Sequence, residues 1–499
     1  MEEIQQSLAR FLPEVALTVG LLLVLLVDAS GVRGRDALNR LLTLATLGVS
    51  LLLCPGTVAG GFSGPIFSGM LALDPLAVFF KILLIGATLL LVLAFTFRNS
   101  KELEGLGQGE LYVLLLAVTL ANLLLVGASD LAMLYLSLEM VSITSYVMVG
   151  YLKGDRMSNE ASLKYVLFGA VSTGGMLYGL SLLYGLAGTT SLLEIRDFLA
   201  LGLTEANRFS LYVIALLVFA GFGFKTAAVP FHFWCPDVYQ GAPTPVTAFL
   251  SVAPKAAGFA VMTRFFFSGL SVAEAGPWDL AGVIEWAPLL MLLSVATMTV
   301  GNVAALTQTN MKRLLAYSSI AHAGYIMMGV VALSDAGVRG MLIYLLAYVF
   351  MNLGAFLVVT LVHRQEGSFD LREYPGLFRR APGLTVAMAV FMLSLIGIPP
   401  FVGFMGKLYV FGAVVARGPD YYWYAVAGAV NAAIAAFYYA RVLRAMIIDT
   451  EEGEQPAWTL PLSDRIAVLG FALANVLPLL FWNRIDEWAR GSLTLYAGL

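Results

Sequence analysis

Phe209-Ser-Leu-Tyr-Val-Ile-Ala-Leu-Leu-Val-Phe-Ala-Gly221-Phe222-Gly223-Phe224-Lys225-Thr-Ala-Ala-Val-Pro230 contains an apolar run and its interruption in one segment. A helix of about 20 mostly apolar residues crosses a bilayer. Here the run ends in Gly221, Gly223 and Lys225, and Pro230 follows. Proline removes a backbone donor and clashes with the preceding turn. The carbonyls freed by such a break must be met by protein or water, because lipid offers no donor. The segment therefore reads as a broken membrane span inside a helical bundle.

The rest of the chain agrees with that class. Of 499 residues, 60% are hydrophobic and 12% charged, whereas soluble domains carry roughly 25% charged residues. So few charges cannot build a water-facing surface. Apolar runs recur near 12–29, 38–54, 73–97, 110–128, 130–150, 161–187, 209–228, 244–268, 282–305, 313–333, 339–363, 383–415, 421–447 and 464–482. That predicts an all-α polytopic membrane protein with about fourteen spans. The longest polar connections, near 188–208, 364–382 and 449–463, leave no room for a soluble domain. The expected organisation is one integral membrane domain over 1–499. Within it lie a three-helix segment (12–97), two five-span repeats (110–268 and 282–447) and a C-terminal helix (464–482). The N-terminus is acidic (Glu2, Glu3) and lacks an A-x-A cleavage site, so Leu17 to Val27 reads as a retained span.

Charge sets the expected orientation. Alternate loops on one side carry sixteen basic residues, among them Arg33, Arg98, Lys153, Lys312, Arg313, Arg372 and Arg465. The other side carries eight, among them Arg10, Arg264, Arg339 and Arg490. The richer side is expected in the cytoplasm. An even number of spans then puts both termini outside, in a bacterial inner membrane. The partner implied is the lipid bilayer, and the net charge of −3 gives no ground for a nucleic-acid partner.

Several chemistries find no support. Cys54 and Cys235 are isolated and form no CxxC pair, so an iron–sulfur or structural zinc framework is not expected. The three histidines lack HExxH spacing, and no GxGxxG or Walker motif occurs. The chain is expected to bind no cofactor and no metal.

What stands out is basic charge within predicted spans: Lys81, Lys164, Lys225, Lys255 and Lys407. A lysine at a bilayer centre costs about 2.5–3.5 kcal/mol on insertion scales. Such residues persist where they face protein or water and have work to do there. Glu139, in the fifth span, belongs with them. A desolvated ammonium has a lowered proton affinity, so a buried lysine can hold or release a proton as its surroundings change. A nearby carboxylate stabilises the charged form.

The alternatives differ by site. Lys164 lies near the start of its span and could reach the headgroups. Lys81 could pair with an acidic residue. Lys255, within Ser251-Val-Ala-Pro254-Lys255-Ala-Ala257, has no route to the surface. His322, within Ser318-Ser319-Ile-Ala-His322-Ala-Gly-Tyr325, reads equally as a proton relay or as a hydrogen-bonded packing residue. His232 and His363 fall at helix ends and read as structural.

A second break, Gly397-Ile-Pro399-Pro400 and Gly403, precedes Lys407 in the twelfth span. Spans 4–8 and 9–13 then form two sets of five, each with its broken helix fourth. An odd number of spans inverts the second copy. A lone kink in a packed helix explains either break, but each has a lysine beside it.

Three blocks carry a family resemblance. They are Lys225 to Lys255 (with Pro230, His232, Trp234, Asp237, Tyr239, Gly241, Pro243 and Pro245), Lys312-Arg313-Leu-Leu-Ala-Tyr-Ser-Ser-Ile-Ala-His322-Ala-Gly-Tyr325, and Gly397-Ile-Pro-Pro-Phe-Val-Gly-Phe-Met-Gly-Lys407. They resemble the antiporter-like, proton-translocating membrane subunits of NADH–quinone oxidoreductase (complex I), which are related to Mrp-type antiporter subunits. The forms around Asp237 and Lys255 are similar to the subunit N branch. The resemblance implies a Glu139–Lys225 charge-modulating pair, a central Lys255 and a terminal proton-transfer Lys407, with His322 and Lys164 as relay candidates. The M branch has glutamate where Lys407 stands. An end soon after the fourteenth span is the expectation for a branch without subunit L's lateral helix.

The resemblance further implies partners among the other membrane subunits, including an M-type subunit and small membrane subunits. Redox chemistry would belong to those partners, making the chain part of a translocase. Alternatives are an Mrp-type or hydrogenase-linked antiporter subunit, the photosynthetic ferredoxin-linked version of the same subunit, or a solute carrier. The last would need a substrate-sized polar pocket, whereas the charges here are strung along several helices.

Overall fold

In the computed structural model, residues 2–31, 33–95, 101–104, 106–201, 205–270, 286–449 and 456–494 are described. Arg98, the end of the span expected to residue 97 and the start of that expected from 282 lie outside them.

The N-terminal segment comprises α1 (Glu2–Arg10), α2 (Leu12–Ala29), α3 (Arg35–Leu53), a two-stranded antiparallel hairpin β1 (Gly64–Ile66) and β2 (Leu71–Leu73), and α4 (Pro75–Ala94). There follow α5 (Gly109–Gly127), α6 (Leu131–Val149), α7 (Arg156–Ala187), α8 (Leu192–Ala200), α9 (Glu205–Thr226), α10 (Trp234–Gly241) and α11 (Thr244–Arg264). The next group is α12 (Trp286–Ala305), α13 (Met311–Val331), α14 (Asp335–Glu366), α15 (Leu377–Arg380), α16 (Pro382–Ile396), α17 (Val402–Ala416) and α18 (Tyr422–Ile447). Finally come α19 (Leu462–Ala474) and α20 (Trp482–Gly491).

Among the described residues, twelve helices are long and apolar enough to cross a membrane, or thirteen if the pair 462–474 and 477–491, bent by 44°, counts as one. The run expected as a single span over 383–415 is two shorter helices, α16 and α17.

Local chemistry explains where these helices start. Asp74, Asp130, Asp155, Asn310 and Ser334 each cap a helix, their side-chain oxygens accepting backbone N–H groups of the first turn. Because Asp155 caps α7, that helix begins at Arg156, earlier than the hydropathy run suggests. Left-handed glycines Gly188, Gly367 and Gly397 close α7, α14 and α16.

Burial runs from the inside out. Every residue of α11 is buried, and α13 and α14 are nearly so, which makes these three the centre of the bundle. The outer faces of α3, α7, α18 and α19 expose Leu52, Val171, Phe437 and Ile466. An apolar exterior around a core holding Ser, Thr, Asn and Lys is the arrangement a lipid solvent selects.

Of the cations counted among loop residues from the sequence, Arg264 and Lys312 are the most deeply buried, at 0% and 1% exposed. Arg264 donates to both Asp74 carboxylate oxygens at 2.7 and 2.9 Å and to the Val126 carbonyl. Lys312 meets Glu102 at 3.2 Å. Each sits inside because a distant acidic residue comes with it.

Candidate proton-transfer site

The first broken helix exposes backbone that its own side chains then satisfy. After Thr226 the chain turns through Ala227, whose φ is positive. The Ala228 amide bonds the Gly223 carbonyl, and the Trp234 indole donates to the Phe224 carbonyl at 3.1 Å. From across the interface, Thr297 Oγ1 accepts the Val229 amide. Lys225, at the edge of this break, is 1% exposed and donates to Ser142 Oγ of α6 at 3.3 Å. Ser142 lies one turn beyond Glu139 on α6. Among the described residues no ion pair joins Glu139 to Lys225, and Glu139 sits on a partly exposed face.

Lys255 lies in the middle of α11, next to Pro254, which leaves that helix with a missing amide. Its Nζ donates to Ser319 Oγ at 2.7 Å and the Ser319 carbonyl at 3.2 Å, and lies 5.7 Å from the centre of the Tyr239 ring. The stem of Lys225 passes Gly258, one turn along α11 from Lys255; a methyl group at Gly258 would come within 3.2 Å of Lys225 Cγ.

Ser318, Ser319, His322 and Tyr325 recur three to four residues apart and so share one face of α13. His322 lies between two phenols, Nδ1 at 2.9 Å from the Tyr344 hydroxyl and Nε2 at 3.1 Å from that of Tyr439. Tyr439 in turn bonds Ser318 at 2.5 Å.

At the second break, α16 ends at Gly397, with φ of 88°. Lys407 of α17 reaches back and donates to the Leu395 and Ile396 carbonyls at 3.1 and 2.7 Å. These are carbonyls without helical partners at a C-terminus. A methyl group at Gly397 would meet Lys407 Cδ at 2.7 Å, so both the conformation and the space require glycine. The Lys407 ammonium lies 4.7 Å from the centre of the Tyr325 ring. The Tyr325 hydroxyl accepts from Asn302, which also bonds Asn431 and Tyr438.

The structure thus brings Lys255, His322 and Lys407 onto one buried row carried by α13. Lys225 is set beside that row, and no hydrogen bond among the described residues links it to Lys255. Lys164 is elsewhere. Its side chain is 37% exposed, and its ammonium bridges Glu160 and Asp237 at 2.8 and 2.6 Å, with Arg313 on the far side of Asp237 at 2.5 Å. Burial alone would raise the Asp237 carboxyl; Lys164 and Arg313 outweigh it and hold the group below the usual carboxylate range. Lys81 pairs with Glu14 of α2 at 2.7 Å, both nearly inaccessible. His363 stacks on Phe369. Among the described residues, no three His, Cys, Asp or Glu side chains group to hold a metal ion.

Residues 128–435 match the family described as NADH:quinone oxidoreductase/Mrp antiporter, TM. The chain belongs to this family. The matched region runs from just before α6 to about midway along α18 and so encloses both breaks and Lys255, His322 and Lys407. A relative named NADH-quinone oxidoreductase subunit N, from Anaeromyxobacter sp. (strain Fw109-5), is 45% identical over 100% of this chain and 99% of its own length. A chain of respiratory complex I from Thermus thermophilus, solved with bound aureothin, superposes with a TM-score of 0.76 at 32% identity, covering 95% of this chain and 98% of that one. A chain of the Mrp complex from Dietzia sp. DQ12-45-1b shares the fold, with a TM-score of 0.81 at 19% identity over 97% of each.

The lysines of the row were legible as lone charges in apolar runs. Ser142, Tyr344, Tyr439 and the Leu395 and Ile396 carbonyls were not. Serines and tyrosines are unremarkable in spans, and a carbonyl has no sequence signature at all.

Proposed function

We propose that this chain is the N-type proton-translocating subunit of an NADH–quinone oxidoreductase, and that protons move along its row of buried lysines. The observation that carries the reading is the continuous polar face of α13 between Lys255 and Lys407, buried in the most enclosed part of the bundle. A lysine whose ammonium is held by neutral acceptors can part with its proton without leaving a buried carboxylate uncompensated. Lys255 and Lys407 both meet that condition. His322, bonded at both nitrogens, is a relay between them. Its two phenol partners fix the ring, and each phenol can donate or accept.

In the same reading, the chain has fourteen spans, with spans 4–8 and 9–13 as inverted repeats over 110–268 and 282–447. The lysine beside each break belongs to the fourth helix of each repeat. Glu139 and Lys225 form the modulating pair, with Ser142 between them. Lys164 helps to anchor α10 through Asp237. Redox chemistry and cofactors belong to partner subunits, among them an M-type subunit and small membrane subunits. The chain's own isolated cysteines and lack of nucleotide motifs support this. The side richer in arginine and lysine faces the cytoplasm, and both termini face the periplasm. The name and full-length coverage of the relatives favour this assignment over an Mrp-type antiporter.

The test is a double-mutant cycle in the assembled complex reconstituted in vesicles. Glu139→Gln and Lys225→Ala should each slow quinone-coupled proton uptake severalfold. The double variant should be little worse than the poorer single one, because one group acts through the other. Independent, multiplying effects would dissolve the pair, and unchanged pumping in both single variants would remove both residues from the path.

A further inference from the structure

A groove of ≈ 760 Å³ opens on the outside of the bundle between α16 and α19. Its walls are Ala387 and Val390 of α16 and Val468 and Leu469 of α19, with Trp458 and Arg465 at one end. Along α16 it runs from Ala381 to Val390, about 14 Å at 1.5 Å per residue. That is the depth of roughly half a hydrocarbon core. Around it the surface is apolar, with Val386, Ile466 and Leu469 exposed.

The charged end differs from the wall. Two nearby acidic groups are already neutralised, Asp464 by Arg364 at 2.6 Å and Glu366 by Arg380 at 2.7 Å. The Arg380 guanidinium also lies over the Trp458 ring at 5.2 Å, and its carbonyl accepts the Trp458 amide. This holds the indole at the mouth of the groove. Arg465 and Arg379, the residue after the lining Phe378, are exposed and have no ion-pair partner among the described residues. The mouth therefore presents the Arg465 guanidinium beside Trp458, above an apolar slot, with exposed Arg379 on the adjoining helix α15 and neither arginine paired among the described residues. Guanidinium forks match phosphate geometry. Basic pockets between membrane helices suit anionic lipid headgroups.

We propose that this groove holds an anionic phospholipid, with acyl chain between α16 and α19 and phosphate on Arg465 and Arg379. The slot supplies apolar burial for any lipid, and the two arginines supply the preference for negative charge.

Trp458 provides the probe. The full chain in phosphatidylcholine nanodiscs would be titrated with phosphatidylglycerol or phosphatidylcholine carrying brominated chains. The quenching that Trp458→Phe removes reports the groove. Half-quenching should need severalfold less brominated phosphatidylglycerol than brominated phosphatidylcholine. Arg379→Gln and Arg465→Gln should each reduce that preference, by roughly fivefold at the strength expected of one basic residue at a membrane surface. Should the variants misfold, salt serves on the native chain. At 1 M the screening length falls to about 3 Å, which should shrink the preference. Equal quenching by both lipids, a preference untouched by salt and by both substitutions, or no quenching by either lipid overturns the proposal.

Discussion

Lys255 owes its place to one hydroxyl and one carbonyl of Ser319, and this makes Ser319 a sharper test of the row than the lysine itself. Ser319→Ala leaves the buried ammonium with the 3.2 Å carbonyl alone. Losing a buried partner of a charged group costs about 1–3 kcal/mol. Proton pumping by the reconstituted complex should fall roughly tenfold, one decade per 1.4 kcal/mol. Ser319→Thr, which keeps the hydroxyl, should retain most of it. Equal rates for Ser319→Ala and the native chain would mean that the hydroxyl does not serve Lys255 in turnover. The lysines could be picked out from sequence because a charge in an apolar run is costly and therefore informative. Their acceptors could not, because a serine can bond its own helix backbone, as Ser142 does to Leu138, and such serines carry no message.

Between helices, distant pairs decide the packing. Arg264 at the end of α11 and Asp74 at the cap of α4 are 190 residues apart and essentially inaccessible. Asp74→Asn would strand a buried guanidinium, at a cost of about 3–5 kcal/mol. It should lower the thermal midpoint of the detergent-solubilised protein; an unchanged midpoint would show that the pair contributes nothing net. Glu102, on the connection between α4 and α5, acts similarly across the opposite side of the chain. It accepts the Thr244 amide at 2.8 Å, capping α11, and pairs with Lys312 of α13. Burial alone would raise this carboxyl; Lys312 and the Thr244 donors outweigh burial and hold it below its ordinary 4.5. The pKa is lower folded than unfolded, so this contribution is present above 4.5 and is lost as pH falls through the folded value. Acid unfolding of Glu102→Gln should therefore show a shallower loss of stability below pH 4.5 than the native chain; identical acid limbs would assign the loss to other groups. Helix positions followed from hydropathy because the bilayer fixes their length. The start of α7 did not, since Asp155 and not hydropathy sets it. The division between α16 and α17 followed from Gly397, Pro399 and Pro400 and not from hydropathy, which reads 383–415 as one apolar run.

Across the whole bundle, the arrangement separates three jobs. The outer helices meet lipid with aliphatic side chains. Asp74–Arg264 ties the N-terminal segment to the centre, and Glu102–Lys312 ties the α4–α5 connection to it. The centre, α11, α13 and α14, encloses Lys255, His322 and, through α17, Lys407. There Ser318, Ser319, His322 and Tyr325 of α13 lie between Lys255 and Lys407. In the proposed reading, Lys407 carries a proton and does more than hold a fixed charge. Arginine keeps the charge and stays protonated in proteins. The decisive measurement is proton pumping by the assembled complex in sealed vesicles, native against Lys407→Arg and Lys407→Ala, with subunit content checked in each preparation. A proton carrier predicts that Lys407→Arg is impaired almost as severely as Lys407→Ala. Full pumping by Lys407→Arg would contradict it and leave Lys407 a fixed positive charge at the second break.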